Sequence, residues 1–112
     1  MISVLIDKVD ILNHYRIKIQ DQDWELNIHL TEQELELLKQ ICSADWGTRQ
    51  SIRAGISANA PVFWAYDDDR EMVSILVGHD DETWDFGVIL PLKNFIASLA
   101  AVNNETENGK YK

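Results

Sequence analysis

The sequence predicts a single α+β domain: a mainly antiparallel sheet in the element order β-β-β-α-β-β-β-α, with its helices packed on one side. Three observations lead to this fold class. Short segments rich in β-branched and aromatic residues fill the N-terminal third and recur after Pro61. A segment with helical spacing of its apolar residues follows each group of strands. Aspartate-rich gaps, which favour turns, separate the later strands.

The first three predicted strands are ISVLIDKVDI (2–11), HYRIKIQ (14–20) and WELNIHL (24–30). The third alternates strictly between apolar and polar side chains from Trp24 to Leu30, which is the period of a half-buried strand. The DQD segment before it favours a tight turn, so we expect the three strands to form an antiparallel meander.

The first predicted helix covers residues 31–42. Thr31 stands at the N-cap position with Glu34 three residues later, which is the pattern of a capping box. The apolar face of this helix comprises Leu35, Leu38, Ile41 and Cys42. We therefore expect Cys42, the only cysteine, to be a small core residue, and we expect neither an intrachain disulfide nor a cysteine-based zinc site.

Residues 43–60 have no clean period, and Pro61 opens a second β region. Its predicted strands are VFWAY (62–66), MVSILVG (72–78) and WDFGVIL (84–90), joined by the DDDRE and HDDET turns into two hairpins. In the last strand we expect Trp84, Phe86, Val88 and Leu90 to share one face. The second predicted helix, LKNFIASLAAV (92–102), completes a domain of residues 1–102, and the polar residues 103–112 are expected to form a frayed tail.

The charge balance limits the function classes. With 19 acidic and 10 basic residues, the chain of 112 residues carries a formal net charge of −9. A field of this sign repels nucleic acids and anionic membranes and attracts basic partners, so we expect no nucleic-acid binding and no membrane association. No apolar run approaches the roughly 20 residues that cross a bilayer, and the N-terminus lacks the features of a secretion signal, so a cytoplasmic location is expected.

The acids of the second half form two groups. They are Asp67, Asp68, Asp69 and Glu71 in the first gap, and Asp80, Asp81, Glu82 and Asp85 around the second. The hairpins place these groups at opposite ends of one strand, roughly 20 Å apart, so they cannot share one metal ion. A local cation site at the second group, with His79, is the weaker alternative, since its spacing fits neither a calcium loop nor a zinc site. We therefore predict no metal and no cofactor.

Nothing in the sequence indicates catalysis. The carboxylates lie in solvated turns without an apolar pocket that would separate their pKa values, as general acid–base chemistry requires. The serines lack the glycine pattern of a nucleophile elbow. The sequence therefore predicts a protein that is not an enzyme.

Large aromatic residues stand next to the acidic turns, a combination typical of interface anchors. We expect a surface for a basic protein partner, made of Trp64, Tyr66, Asp67, Asp68, Asp69, Asp80, Asp81, Glu82 and Asp85. The alternative is that Trp64 belongs to the core and Phe63 lies at an edge. The sequence leaves open whether Trp64 and Trp84 are buried.

In its size, acidity, missing catalytic set and turn-borne acids beside aromatic residues, the whole chain resembles the small immunity proteins that bacteria make against their own secreted or contact-delivered toxins. The resemblance rests on overall character and not on a motif, so no binding residue is carried over from it. It implies a cytosolic protein that binds one cognate toxin tightly and without catalysis. The acidic charge separately suits a basic partner such as a toxin nuclease.

A second interpretation uses WGTRQSIRAG (46–55), which stands in a stretch free of acids from Trp46 to Tyr66. Trp46, Arg49 and Arg53 could bind an anionic small molecule against the concave side of the sheet, as a ligand-binding domain or a small enzyme. The same arginines could instead form ion pairs with the acids of the domain. A homodimer formed through an uncovered aromatic sheet face is a third possibility.

Overall fold

The computed structural model describes residues 2–9, 13–43, 51–80 and 82–110, with the side chains of the last helix described as far as Val102. The elements of this part of the chain are, in order, β1 Ser3–Val9, β2 His14–Gln20, β3 Glu25–Thr31, α1 Glu32–Leu38, a short 3-10 helix Ile41–Ser43, β4 Ile52–Ser57, β5 Ala60–Asp67, β6 Met72–Gly78, β7 Trp84–Pro91 and α2 Leu92–Lys110. Every predicted strand and helix is present, and one strand is added.

The seven strands of the described residues form one antiparallel sheet in the order β1-β2-β3-β4-β5-β6-β7. The α+β class is therefore confirmed, while the predicted element order lacked β4. The pairing of β4 with β5 shifts between Arg53 and Ile56, where Gly55 has a φ of 87°. This bulge turns Ile56 to the exposed side, although strict alternation would place it beside the buried Ala54. A strand interrupted in this way shows no clean period in its sequence.

The sheet curls around the last helix. Six strand spacings of about 4.8 Å separate the edge strands β1 and β7 by about 29 Å along the sheet. Nevertheless α2 packs against β1 and also against β6 and β7. The Ser98 Oγ donates a hydrogen bond of 2.9 Å to the Val4 carbonyl of β1, directly linking the helix to the first strand. One face of the sheet is therefore concave and is covered by α2.

The core fills the concave face. Trp64 is 0% exposed, its ring stacks on Phe95 of α2 at a centroid distance of 5.3 Å, and its Nε1 donates to the Ala54 carbonyl at 2.8 Å. Leu35 and Leu38 of α1 belong to the same cluster. Both helices thus pack on one side of the sheet, as predicted.

Helix α1 begins with the predicted capping box. The Glu34 amide donates to Thr31 Oγ1 at 3.1 Å, and Glu34 Oε1 accepts from the Thr31 amide at 2.9 Å. The other carboxylate oxygen, Oε2, accepts from the Gly55 amide at 2.7 Å, so that one side chain joins the helix cap to the bulge of β4. Burial raises the pKa of Glu34, but these backbone hydrogen bonds outweigh it and the net pKa is lowered.

The α-helical geometry ends at Leu38, before the predicted end of the helix at 42. In the following 3-10 turn Ile41 is buried but Cys42 is exposed, so the expectation of a core cysteine was wrong. The tighter winding of three residues per turn changes the direction of Cys42 from that of an α-helix. At the other end of the chain α2 continues to Lys110, beyond residue 102 where we expected the folded domain to end. No helix in the described ranges has the length and apolar character needed to cross a membrane.

Candidate functional site

The two acidic turns of the second half lie at opposite ends of β6. The β5–β6 turn precedes Met72 and the β6–β7 turn follows Gly78. With about 3.3 Å per residue, this strand separates them by roughly 20 Å. Among the residues that the structure describes, no group of three or more His, Cys, Asp or Glu side chains is placed to hold a metal ion.

Asp80 organises the β6–β7 turn. Its Oδ1 accepts hydrogen bonds from the Glu82 amide at 2.8 Å and from the Thr83 amide and hydroxyl at 2.7 and 2.9 Å. These donors, the Glu82 amide first, lower the pKa of Asp80 and keep the carboxylate ionised. Glu82 and Asp85 are exposed on either side of the turn. Asp81 lies outside the described residues.

Asp67 has the same role in the β5–β6 turn. Its carboxylate accepts from the amides of Asp69 and Arg70 and pairs with the Arg70 Nε at 2.8 Å. The hydrogen bond from Arg70 is the main cause of the lowered pKa of Asp67. Asp68 and Asp69 are exposed. The charge of this turn is therefore partly balanced by a neighbouring base.

The structure corrects the expectation that Trp64 and Tyr66 lie on a partner surface. The two side chains are 0% and 7% exposed. Register explains this burial, because Trp64 pairs with Ile75 and Tyr66 with Val73 on the concave face. Burial raises the pKa of Tyr66, and the nearby carboxylate of Asp68 raises it further. These aromatic residues stabilise the core and are not available to a partner in this fold.

Trp84 is the exposed tryptophan of this region, at 46% exposure. The pairing of β6 with β7 shifts between Val77 and Gly78, which inserts a bulge at the start of β7. A Cβ at position 87 would lie 3.1 Å from Trp84 Cζ3 and 3.2 Å from Leu76 Cδ2, so the indole covers Gly87 on the convex face. The prediction that Trp84 shares the face of Phe86 was therefore wrong.

Phe86 lies on the concave side, where it meets a residue from the other half of the sheet. Its ring and that of Trp24 are 6.0 Å apart at 70°, an edge-to-face contact. Phe86 nevertheless remains 40% exposed, and Trp24 is half-buried. The curvature of the sheet thus brings the start of β3 next to the start of β7.

This contact assembles a surface that we call the acidic aromatic patch. It comprises Trp24 and Phe86 at the contact, Trp84 on the opposite face of the same end of β7, and the acids of the two adjoining turns and of β7, which are Asp21, Asp23, Asp80, Glu82 and Asp85. The sequence interpretation missed Trp24, Asp21 and Asp23, which stand about sixty positions before the other members. The available signal was the DQD turn directly before a tryptophan, but only the curvature of the sheet shows that this turn faces the later one.

Four ion pairs of the described residues lie outside the patch. These ion pairs join Arg16 to Asp7, Lys18 to Glu25, Lys39 to Glu36 and Arg70 to Asp67. Four bases are thereby held at other places on the surface. The carboxylates gathered in the patch give it a negative potential that attracts cationic groups.

The alternative anion site receives no support from the described geometry. Trp46 and Arg49 lie outside the described residues. Arg53 is exposed on β4 and pairs in register with Phe63 on the convex face. The concave side, where we expected a ligand, is filled by Trp64 and Phe95. The surface hollows of about 440 and 350 Å³ do not include Arg53.

Comparison of the chain with family models, with curated protein sequences and with solved structures finds no match.

Proposed function

We propose that this protein is a non-catalytic binding domain that captures a basic protein partner through the acidic aromatic patch. The observation that supports the proposal best is the exposure of Trp84 and Phe86, 46% and 40%, among carboxylates at one end of the sheet. Exposed aromatic residues are enriched among the side chains that dominate binding energy. A surrounding charge of one sign selects partners of the other sign.

In this proposal the two kinds of side chain have separate tasks. The carboxylates of Glu82, Asp85 and Asp23 accelerate encounter with a basic surface, an effect that salt screens. Trp84 and Phe86 then exclude water and slow dissociation. A nuclease is a suitable target, since the site that holds phosphate is itself basic. The function is then that of an immunity protein acting in the cytoplasm against a toxin.

The experiment is affinity capture of the tagged protein, co-expressed with the products of its neighbouring genes, at low and high salt. We expect a stoichiometric basic partner whose association rate falls as salt rises, while the formed complex is retained. A protein recovered without a partner under both conditions would refute the proposal for those genes.

Two pairs of variants test the position of the binding surface once the partner has been identified. Trp84→Ala should weaken binding by about 2 kcal/mol, roughly 30-fold. Ile56→Ala removes a side chain of similar exposure, 49%, from β4 and should leave affinity unchanged. Glu82→Lys should slow association, whereas Asp68→Lys in the opposite turn should not. Equal effects within each pair would place the binding surface elsewhere.

A further inference from the structure

Strand β7 is an open edge of the sheet. It pairs with β6 on one side, and its other side pairs with no strand in the described part of the chain. All four residues of its first half, Trp84–Gly87, are exposed. Alternate N–H and C=O groups of such an edge point outward, and another strand can satisfy them as well as water can.

The opposite edge, β1, has two protective features that β7, with its bulge near Trp84, does not share. Helix α2 packs on both edge strands, and at β1 Ser98 Oγ also donates to the Val4 carbonyl at 2.9 Å. β1 also carries Lys8, and lysine is a residue type that discourages edge pairing. By contrast, the sequence WDFGVILP of β7 has no lysine or arginine, and its proline stands at the last position, Pro91. A strand that pairs along residues 84–90 therefore encounters no cationic side chain and no residue that lacks a backbone N–H.

The side chains of β7 offer contacts on both faces of an added strand. Trp84 covers the convex face at Gly87, and Ile89, 47% exposed, pairs in register with Ser74 on that face. Phe86 lies on the concave side beside Trp24. Because alternate side chains of an added strand point to opposite faces, the strand would place side chains beside both sets.

We infer that an extended, lysine- or arginine-bearing segment of the partner adds to the sheet as a strand alongside β7. This inference rests on the proposed function and specifies its binding mode. Asp85 on the strand, with Asp80 and Glu82 in the turn before it, attracts the cations of the segment. The outward backbone groups of β7 give the affinity, and the exposed apolar side chains fix the register.

Charge favours a basic segment over a second copy of this chain. Two copies would each bring a net charge of −9. Each β7 would also present Asp85 and no base to the other. Repulsion therefore opposes the symmetric pairing, whereas a cationic strand gains from the same field.

The test uses three acetylated peptides of about nine residues, long enough to cover β7. The first alternates lysine and valine. The second has the same sequence but is N-methylated at every residue, so that it keeps its side chains and loses its backbone donors. The third alternates glutamate and valine. Binding is measured by NMR titration of the ¹⁵N-labelled protein, together with amide hydrogen exchange in β7.

We expect the unmethylated lysine peptide to bind about tenfold or more tightly than its methylated form, because several backbone hydrogen bonds are lost together. Outward-facing amides of β7 should exchange more slowly in its presence. The glutamate peptide should bind more weakly. Asp85→Lys should weaken binding of the lysine peptide, and Asp69→Lys, the same charge change at the far end of β6, should have little effect.

Equal affinity of the methylated and unmethylated peptides, or no slowing in β7, would overturn strand addition and leave the proposed function standing on side-chain contacts. Concentration-dependent slowing of β7 amides in the protein alone, with a dimer in sedimentation, would assign the edge to a second copy and overturn the inference. The affinity-capture experiment tests the proposed function independently of strand addition.

Discussion

Replacing Glu34 with glutamine tests whether one carboxylate holds α1 and β4 together. The two carboxylate oxygens accept from the amides of Thr31 and Gly55 at 2.9 and 2.7 Å. Glutamine keeps one acceptor and presents an NH₂ group to the other amide, so one hydrogen bond is lost. A hydrogen bond to a charged group contributes about 1.5–3 kcal/mol, and partial solvent exposure reduces this to an expected loss of about 1–2 kcal/mol.

The free energy of unfolding lost in Glu34→Gln should depend on pH, and the lowered pKa of Glu34 determines the direction. The hydrogen bonds lower the pKa of Glu34 in the folded protein despite its partial burial. The unfolded chain therefore binds a proton at a higher pH than the folded one, and the stabilisation is complete above the ordinary glutamate pKa of 4.5. It disappears as pH falls through the lower, folded pKa. The difference between the native protein and Glu34→Gln should thus be largest at pH 7 and shrink below about pH 4.

The assay is urea denaturation of both proteins at about pH 7 and about pH 3.5. The control is Glu36→Gln on the same helix, which removes an exposed ion pair with Lys39 of 2.8 Å and should change stability by less than about 0.5 kcal/mol. If Glu34→Gln loses no more free energy of unfolding at about pH 7 than Glu36→Gln does, Glu34 does not hold α1 and β4 together. A loss of free energy that is as large at about pH 3.5 as at pH 7 would contradict the role of the ionised carboxylate.

Three further substitutions probe other parts of the structure. Gly55→Ala should lower the free energy of unfolding by about 2–4 kcal/mol in thermal denaturation, because φ is 87° and the new Cβ would lie 2.7 Å from Ile28 Cγ2; a loss below about 1 kcal/mol would mean that the bulge relaxes. Trp64→Phe should cost about 2–3 kcal/mol in urea, since it removes the 2.8 Å hydrogen bond to Ala54 and leaves a cavity, and a neutral result would contradict the packing described. Asp80→Ala should lower the thermal midpoint at neutral pH, and because the pKa of Asp80 is lowered, the deficit should fade in acid; an equal deficit at both pH values would show that its ionised form is not what holds the turn.

Local patterns were sufficient to predict most of the elements. The strict alternation from Trp24 to Leu30 gave a strand that the structure places at Glu25–Thr31, and the Thr31–Glu34 pair gave the capping box with both hydrogen bonds. The aspartates between the later strands gave two tight turns, because their side chains accept hydrogen bonds from nearby amides in the turn itself.

The predictions that were wrong concern features set by strand pairing and by the curvature of the sheet. The bulges at Gly55 and at Trp84 shift alternation by one residue, which hid β4 and moved Trp84 to the convex face. Which face of VFWAY is concave depends on curvature, so the burial of Trp64 could not be predicted from its period. The nearness of Trp24 to Phe86 likewise follows from curvature, because strands β3 and β7 are not neighbours in the sheet.

The strictly sequential order of the strands has a consequence for synthesis on the ribosome. Each strand pairs with the one made just before it, so the sheet can lengthen as the chain emerges, with short loops to close at every step except between β3 and β4, where α1 intervenes. Helix α2 is different: Ser98 reaches back 94 positions to Val4, and Phe95 covers the ring of Trp64. The concave face therefore stays open until α2 has left the ribosome. Emergence and docking of α2, and not the formation of the sheet, is then the event that closes the hydrophobic interior.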